Sequence, residues 1–122
     1  MPKRYERITN VHKLALIKTL KKASKKNNAR IWRYIAELLE RPRRLKVEVN
    51  LSKLDLHTKD GDIVVVPGKV LGGGKLNHKI TIAAFSFSES AKRKLLDSGS
   101  RLITIEELIN ERPRGSGVKI II

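Results

Sequence analysis

Apolar side chains recur at helical spacing from Asn10 to about Lys26. At about 100° per residue, Leu16, Ile17, Leu20 and Ala23 share one stripe, while Lys18, Lys21, Lys22, Lys25 and Lys26 fall on the other side. The spacing predicts an amphipathic helix with Thr9 or Asn10 as its N-cap. A second helix is predicted from Ala29 to Arg41, behind the break at Asn27-Asn28, with Ile31, Ile35, Leu38 and Leu39 turned inward. Pro42 ends it, because the residue before a proline is pushed out of the helical region.

The period then changes from helical to alternating. Val47, Val49 and Leu51 interleave with Lys46, Glu48 and Asn50, as in a half-buried strand, and a short helical turn is predicted at Ser52–Leu56. Asp60-Gly61 reads as a turn, Ile63–Val66 as a buried strand and Pro67-Gly68 as another turn. The sheet resumes at Lys79–Phe85 after a glycine-rich loop. Ser88 caps a helix to about Asp97, and Gly99 supplies its left-handed C-terminal position. After a short strand, Arg101–Ile103, Thr104 and Glu107 form a capping box for a helix to about Arg112, which Pro113 closes. The loop Arg114-Gly115-Ser116-Gly117 leads into an end strand, Val118–Ile122. These elements describe an α+β (mixed α/β) chain. At 122 residues it suits a single domain, 1–122, with a helical part, 1–46, and a β-rich core, 47–122.

Charge sharpens that division. The chain carries 27 Lys and Arg against 12 Asp and Glu, a net +15. Fifteen of the basic and three of the acidic residues fall within 1–46, so this part holds +12 and the other 76 residues hold +3. No acid stands between Arg7 and Glu37 to give the lysine face the i,i+4 support that a solvated helix usually has. Such an excess repels itself in a compact chain, so an external polyanion is its expected counterpart. Nucleic acid ranks ahead of an anionic membrane, since no apolar run approaches the roughly 18–20 residues of a spanning helix and no signal-peptide pattern opens the chain.

Candidate chemistry is sparse. Cysteine is absent, which removes disulfides, thiol nucleophiles and cysteine-based zinc sites. Glutamine is absent as well, and with plentiful Lys and Glu the composition leans toward a heat-adapted source. His12, His57 and His78 lie far apart without metal-ligand spacing. His57 beside Asp55 and Asp60 offers at most a weak cation contact. Gly72-Gly73-Gly74-Lys75 invites a phosphate-loop reading but fails on spacing, with Lys69 where a glycine is needed and Leu76 where Ser or Thr is needed. The dinucleotide fingerprint fails too, because Asn77 stands in place of its third glycine. What remains is a bare backbone able to approach something closely, with Lys75, His78 and Lys79 suggesting an anion. Trp32 and Tyr34, set among Arg30 and Arg33, are either helix-packing residues or platforms for stacked bases.

The runs Val49-Asn50-Leu51-Ser52-Lys53-Leu54, Asp60-Gly61-Asp62 and Val65-Val66-Pro67-Gly68-Lys69-Val70-Leu71-Gly72-Gly73-Gly74 resemble the archaeal and eukaryotic large-subunit ribosomal protein family eighteen-e, in its archaeal form. From Lys69 through Gly74, then Lys79-Ile80-Thr81-Ile82, Phe87-Ser88, Ser90-Ala91-Lys92 and Gly99, the chain is also similar to the C-terminal part of the bacterial large-subunit family fifteen. That bacterial family has a long glycine- and arginine-rich N-terminal extension, whereas 1–46 here reads as helical. The resemblance implies irregular β-β-α units and a cytoplasmic structural protein of the ribosome. Its partners would be large-subunit ribosomal RNA and neighbouring ribosomal proteins, with no catalysis and no cofactor.

The expected RNA contacts are Lys18, Lys21, Lys22, Lys25, Arg43, Arg44, Gly72, Gly73, Gly74, Lys75, Lys79, Arg112 and Arg114. Phosphate contacts of this kind position a protein without reading bases. Two rivals are a DNA-binding chromatin or regulatory protein, for which a polar recognition helix is missing, and a nucleic-acid-modifying enzyme, for which a nucleophile, metal site or nucleotide loop is missing.

Overall fold

A computed structural model describes residues 11–42 and 45–122. The elements are α1 (Val11–Asn27), α2 (Arg30–Leu39), β1 (Val47–Asn50), α3 (Leu51–His57), β2 (Ile63–Leu71), β3 (Thr81–Phe87), α4 (Glu89–Asp97), β4 (Arg101–Ile103), α5 (Ile105–Glu111) and β5 (Val118–Ile120). The expected N-cap, Thr9 or Asn10, lies outside the described residues.

The expected α+β class holds, and every strand pairing within it is parallel. β2 is the centre. Its first half pairs with β5 and its second half with β1, so two short strands share one edge, while β3 and then β4 extend the other. A central strand with both faces covered needs apolar residues at successive positions rather than alternating ones, which is why Val64, Val65 and Val66 are all buried. Val65 faces α1, α2 and α5 across a core built on Leu16, Leu20, Trp32, Ile35 and Leu108. Val64 and Val66 face α3 and α4 with Leu51, Leu54, Ile82 and Leu95.

The predicted stripe of α1 is the buried one: Leu16, Ile17, Leu20 and Ala23. In α2, Ile35, Leu38 and Leu39 are buried with Trp32 and Ala36, and Ile31 packs partly against them. The two helices form a hairpin through Asn28, whose φ of 51° is left-handed. Ser88 accepts a hydrogen bond from the Ala91 N–H at the start of α4, and the Thr104/Glu107 capping box opens α5.

Two expectations change. Pro67-Gly68 is not a turn, because β2 runs through it to Leu71. Val66 pairs with Ala84 and Lys69 with Ser86, so Pro67 and Gly68 together oppose Phe85 as a bulge. Proline is tolerated there because the ladder is interrupted, and a Cβ on Gly68 would overlap the Val47 carbonyl. The segment 72–80 is likewise more than a surface loop. Parallel neighbours usually need a helical crossover, and here a helix-free segment makes it, with Leu76 and Ile80 buried in the α3/α4 core.

Candidate nucleic-acid interface

The buried stripe of α1 turns Lys18, Lys21, Lys22, Lys25 and Lys26 to the exterior, all exposed. Lys21 has a partner that helical spacing does not reveal: its Nζ lies 2.9 Å from Glu40 Oε2, just beyond α2. The expectation that this face lacks acidic partners is corrected at that position. Lys18, Lys22, Lys25 and Lys26 make no ion pair among the described residues.

The hairpin sets Lys25 and Lys26 in the last turn of α1, a short turn away from Arg30 at the start of α2. Beside that start the chain returns from α5. Trp32, fully buried, donates its indole N–H to the Pro113 carbonyl at 2.6 Å. Gly115, at φ +72°, lies so close to Ile31 that a Cβ would come within 2.5 Å of Ile31 Cγ2. These contacts hold Arg112 and Arg114, both exposed, alongside the first turn of α2. Arg112 reaches back to the Ser116 carbonyl at 3.4 Å, and Arg33 faces Glu37 at 3.6 Å. Lys25, Arg112 and Arg114 therefore share one end of the helical layer with Lys26 and Arg30, which the sequence reading did not single out as contacts. Their signal was position, flanking the Asn27-Asn28 break. Trp32 is a packing residue and cannot stack on a base, whereas Tyr34 is 45% exposed.

The glycine run lies on the other layer. Gly72 passes Ser90 and the Ala91 N–H at the start of α4, and a Cβ on Gly73 would stand 2.5 Å from Asn50 Oδ1. Gly74, at φ +86°, would place a Cβ 2.7 Å from the Ser52 Cβ. Gly73 donates its N–H to Asn50 Oδ1 (3.0 Å), its carbonyl accepts from the Ser52 N–H (3.0 Å), and Lys94 Nζ donates to the Gly72 and Gly74 carbonyls at 2.7 and 3.1 Å. The close approach that bare backbone permits is thus made to the chain's own α3 and α4 starts. Lys75 is exposed beside it.

Lys79 lies elsewhere. Its N–H donates to Asp60 Oδ1 at 2.9 Å, and Thr81, two residues on, pairs with Ile63 at the start of β2. Gly72 follows the end of β2, about 26 Å away at ~3.3 Å per strand residue. Lys79 does not form one patch with Lys75 and the glycines. His78, between them, is engaged internally: its Nε2 is 2.6 Å from the Thr58 hydroxyl, and its Nδ1 is 3.5 Å from Asp55. The Thr58 hydroxyl already donates to the Leu54 carbonyl (2.6 Å), so it accepts from the imidazole. Arg43 and Arg44 lie outside the described residues.

Nothing in this geometry assembles catalytic chemistry among the described residues. His12 stacks on Phe85, with ring centroids 5.5 Å apart, and no three His, Asp or Glu side chains converge as a metal site. The shifted ionisations belong to ion pairs at the surface. A hydrogen bond from Lys119 and another from the Lys59 N–H hold the Asp62 carboxyl below its ordinary range. A two-pronged contact with Arg101 does the same for Glu111 and raises the guanidinium in turn. No helix among the described residues is long and apolar enough to cross a membrane.

The comparisons with known proteins agree with one another. A large ribosomal subunit protein eL18 of Pyrobaculum aerophilum is 50% identical over 114 residues, covering 93% of each chain. The protein of the same description from Methanococcus maripaludis is 50% identical over 113 residues, 93% of this chain and 94% of the relative. That from Archaeoglobus fulgidus is 45% identical over 116 residues, 95% of this chain and 99% of the relative. The family model described as ribosomal protein 60S L18 and 50S L18e matches residues 1–122, and the chain belongs to that family.

Proposed function

We propose that this protein is a structural constituent of the large ribosomal subunit, in the cytoplasm, that binds ribosomal RNA and stabilises its tertiary fold. The observation that carries this reading is a row of exposed cations, Lys18, Lys22 and Lys25, without acidic partners among the described residues, on a chain whose relatives are large-subunit proteins. Charge of this kind repels itself unless phosphates neutralise it. The contact set is Lys18, Lys21, Lys22 and Lys25 on α1, Arg112 and Arg114 at the pinned turn, Arg43 and Arg44, the glycine run with Lys75, and Lys79. Because the described members of this set lie on both layers and at both ends of the sheet, the protein sits among several RNA segments and joins them. The nearly balanced part from 47 onward also meets neighbouring large-subunit proteins. The role is structural and non-enzymatic, with no cofactor and no small-molecule substrate.

The test is co-sedimentation of the full-length protein with large ribosomal subunits at moderate salt. Stoichiometric recovery with large subunits, and none with small subunits, is the expected result. Equal retention by duplex DNA and by ribosomal RNA would overturn it.

A further inference from the structure

The bulge in β2 opens a cleft that the lysine face does not explain. Where Pro67 and Gly68 oppose Phe85, the sheet surface is interrupted beneath the end of α2, leaving a space of about 140 Å³. Its walls are apolar: Leu38, Leu39, Val47, Pro67 and Phe85. Its rim is basic, with Lys13, Arg41, Lys46 and Lys69 around the opening. Of these, Lys46 faces Glu48 at 3.5 Å, while Arg41 and Lys69 are exposed and make no ion pair among the described residues. The Ser86 side chain lines the same space, and its hydroxyl has no hydrogen-bond partner among the described residues. Bulges are rare between parallel strands and are features that re-aim side chains beside binding sites.

Size, walls and rim together select the ligand. A cavity of about 150 Å³ lined by aliphatic and aromatic side chains holds one benzene ring, so this cleft suits one planar ring and no larger apolar group. Cations around an apolar slot suit a ring that carries phosphates on either side. A duplex keeps its bases stacked and offers phosphates alone, whereas loops and bulges of RNA can turn a base outward. We infer that the cleft at the β2 bulge receives a single unstacked pyrimidine base of the bound RNA, with the flanking phosphates on Arg41 and Lys69. The Ser86 hydroxyl is placed to hydrogen-bond the base edge, and Phe85, held by its stack on His12, supplies aromatic surface. This inference rests on the RNA-binding reading and gives it a local, single-strand component that phosphate contacts lack.

The experiment uses the full-length protein and two small probes, uridine 5′-monophosphate and ribose 5-phosphate, followed by NMR of the methyl groups of Leu38, Leu39 and Val47. The nucleotide is expected to shift these signals, and the base-free sugar phosphate at equal concentration is expected to leave them in place. A second arm fills the cleft with Ser86→Leu. Affinity for a single-stranded RNA octamer should fall about tenfold, the loss of one base stacked on an aromatic side chain, while affinity for an RNA duplex stays within about twofold. Equal shifts from both probes would overturn the inference, as would undiminished octamer binding by a folded Ser86→Leu protein. Stronger shifts from an acidic peptide than from the nucleotide would also overturn it. Failure of the unaltered protein to bind either RNA would instead sink the RNA-binding reading itself, which keeps the two failures apart.

Discussion

Trp32 and Pro113 meet across 81 positions of sequence, the indole N–H of α2 donating to the carbonyl that follows α5. One bond serves packing and surface at once. The indole is fully buried among α1, α2 and α5, and the carbonyl it holds lies between the two exposed arginines of the turn. An aromatic residue that looked available to a base is instead a packing residue that anchors the turn carrying Arg112 and Arg114.

Trp32→Phe should lower stability by about 2 kcal/mol, part from the lost hydrogen bond and part from the space left by the smaller ring. The RNA affinity of the folded fraction should fall as well, since the turn is released. Urea unfolding measures the first effect and RNA titration below the unfolding transition the second. A variant as stable as the parent would show that the bond contributes nothing.

Gly61 and Gly74 form a controlled pair. Both have positive φ, +88° and +86°, yet a Cβ on Gly61 would meet nothing within 4 Å, whereas one on Gly74 would stand 2.7 Å from the Ser52 Cβ. Gly61→Ala should cost about 1 kcal/mol, the strain of a left-handed alanine alone. Gly74→Ala should cost at least about 1–3 kcal/mol more, from the overlap in a packed site. Equal melting temperatures for the two variants would mean that the crossover relaxes freely away from α3.

Local signals in the sequence located the elements that depend on local physics. The stripe of α1, the capping box at Thr104 and the left-handed Gly99 follow from spacing and residue type, and the structure contains each of them. Long-range contacts were not legible. Pro67-Gly68 has the composition of a turn, and what keeps it in a strand is its pairing with β1, Gly68 opposite Val47. Three glycines announce close approach but not to what, and the answer lies at Asn50, Ser52 and Ser90. Lys21 finds Glu40 across a helix hairpin, beyond the reach of any i,i+4 rule. The cleft at the bulge was hidden for the same reason, since its walls come from α2, β1, β2 and β3.

Two carboxyl groups should make the protein's stability sensitive to acid. Asp62, 2.8 Å from Lys119 Nζ, and Glu111, paired with Arg101, are both held below their ordinary range in the folded chain. The unfolded chain therefore binds more protons as pH falls, and stability drops with it. Their contribution should be complete above about pH 5 and fade below about pH 4, as each group protonates through its lowered folded value. Asp62→Asn should flatten this part of the profile, be modestly less stable than the parent at pH 7, and match it near pH 2. Urea midpoints across that range provide the check, and a profile as steep as the parent's would assign the acid sensitivity to other groups.

The lysine face yields the sharpest electrostatic prediction. Each phosphate neutralised releases counterions, so log affinity falls with log salt by about 0.7–0.9 per contact. With six to eight phosphates engaged, the slope for ribosomal RNA should lie between about −4 and −7. Replacing Lys18, Lys22 and Lys25 together by glutamine should make it shallower by about two and weaken binding severalfold or more at moderate salt. The melting temperature should hold or rise slightly, because these lysines have no acidic partners to lose among the described residues and their mutual repulsion is relieved. Lys21→Gln is different in kind. It breaks the exposed pair with Glu40 and should cost no more than about 0.5 kcal/mol of stability. Its effect on affinity should be smaller than that of a neighbouring lysine, because the charge of the parent lysine is already partly neutralised by Glu40. A parent slope near −1 would mean that phosphates contribute little, and an unchanged slope in the triple variant would move the RNA interface away from α1.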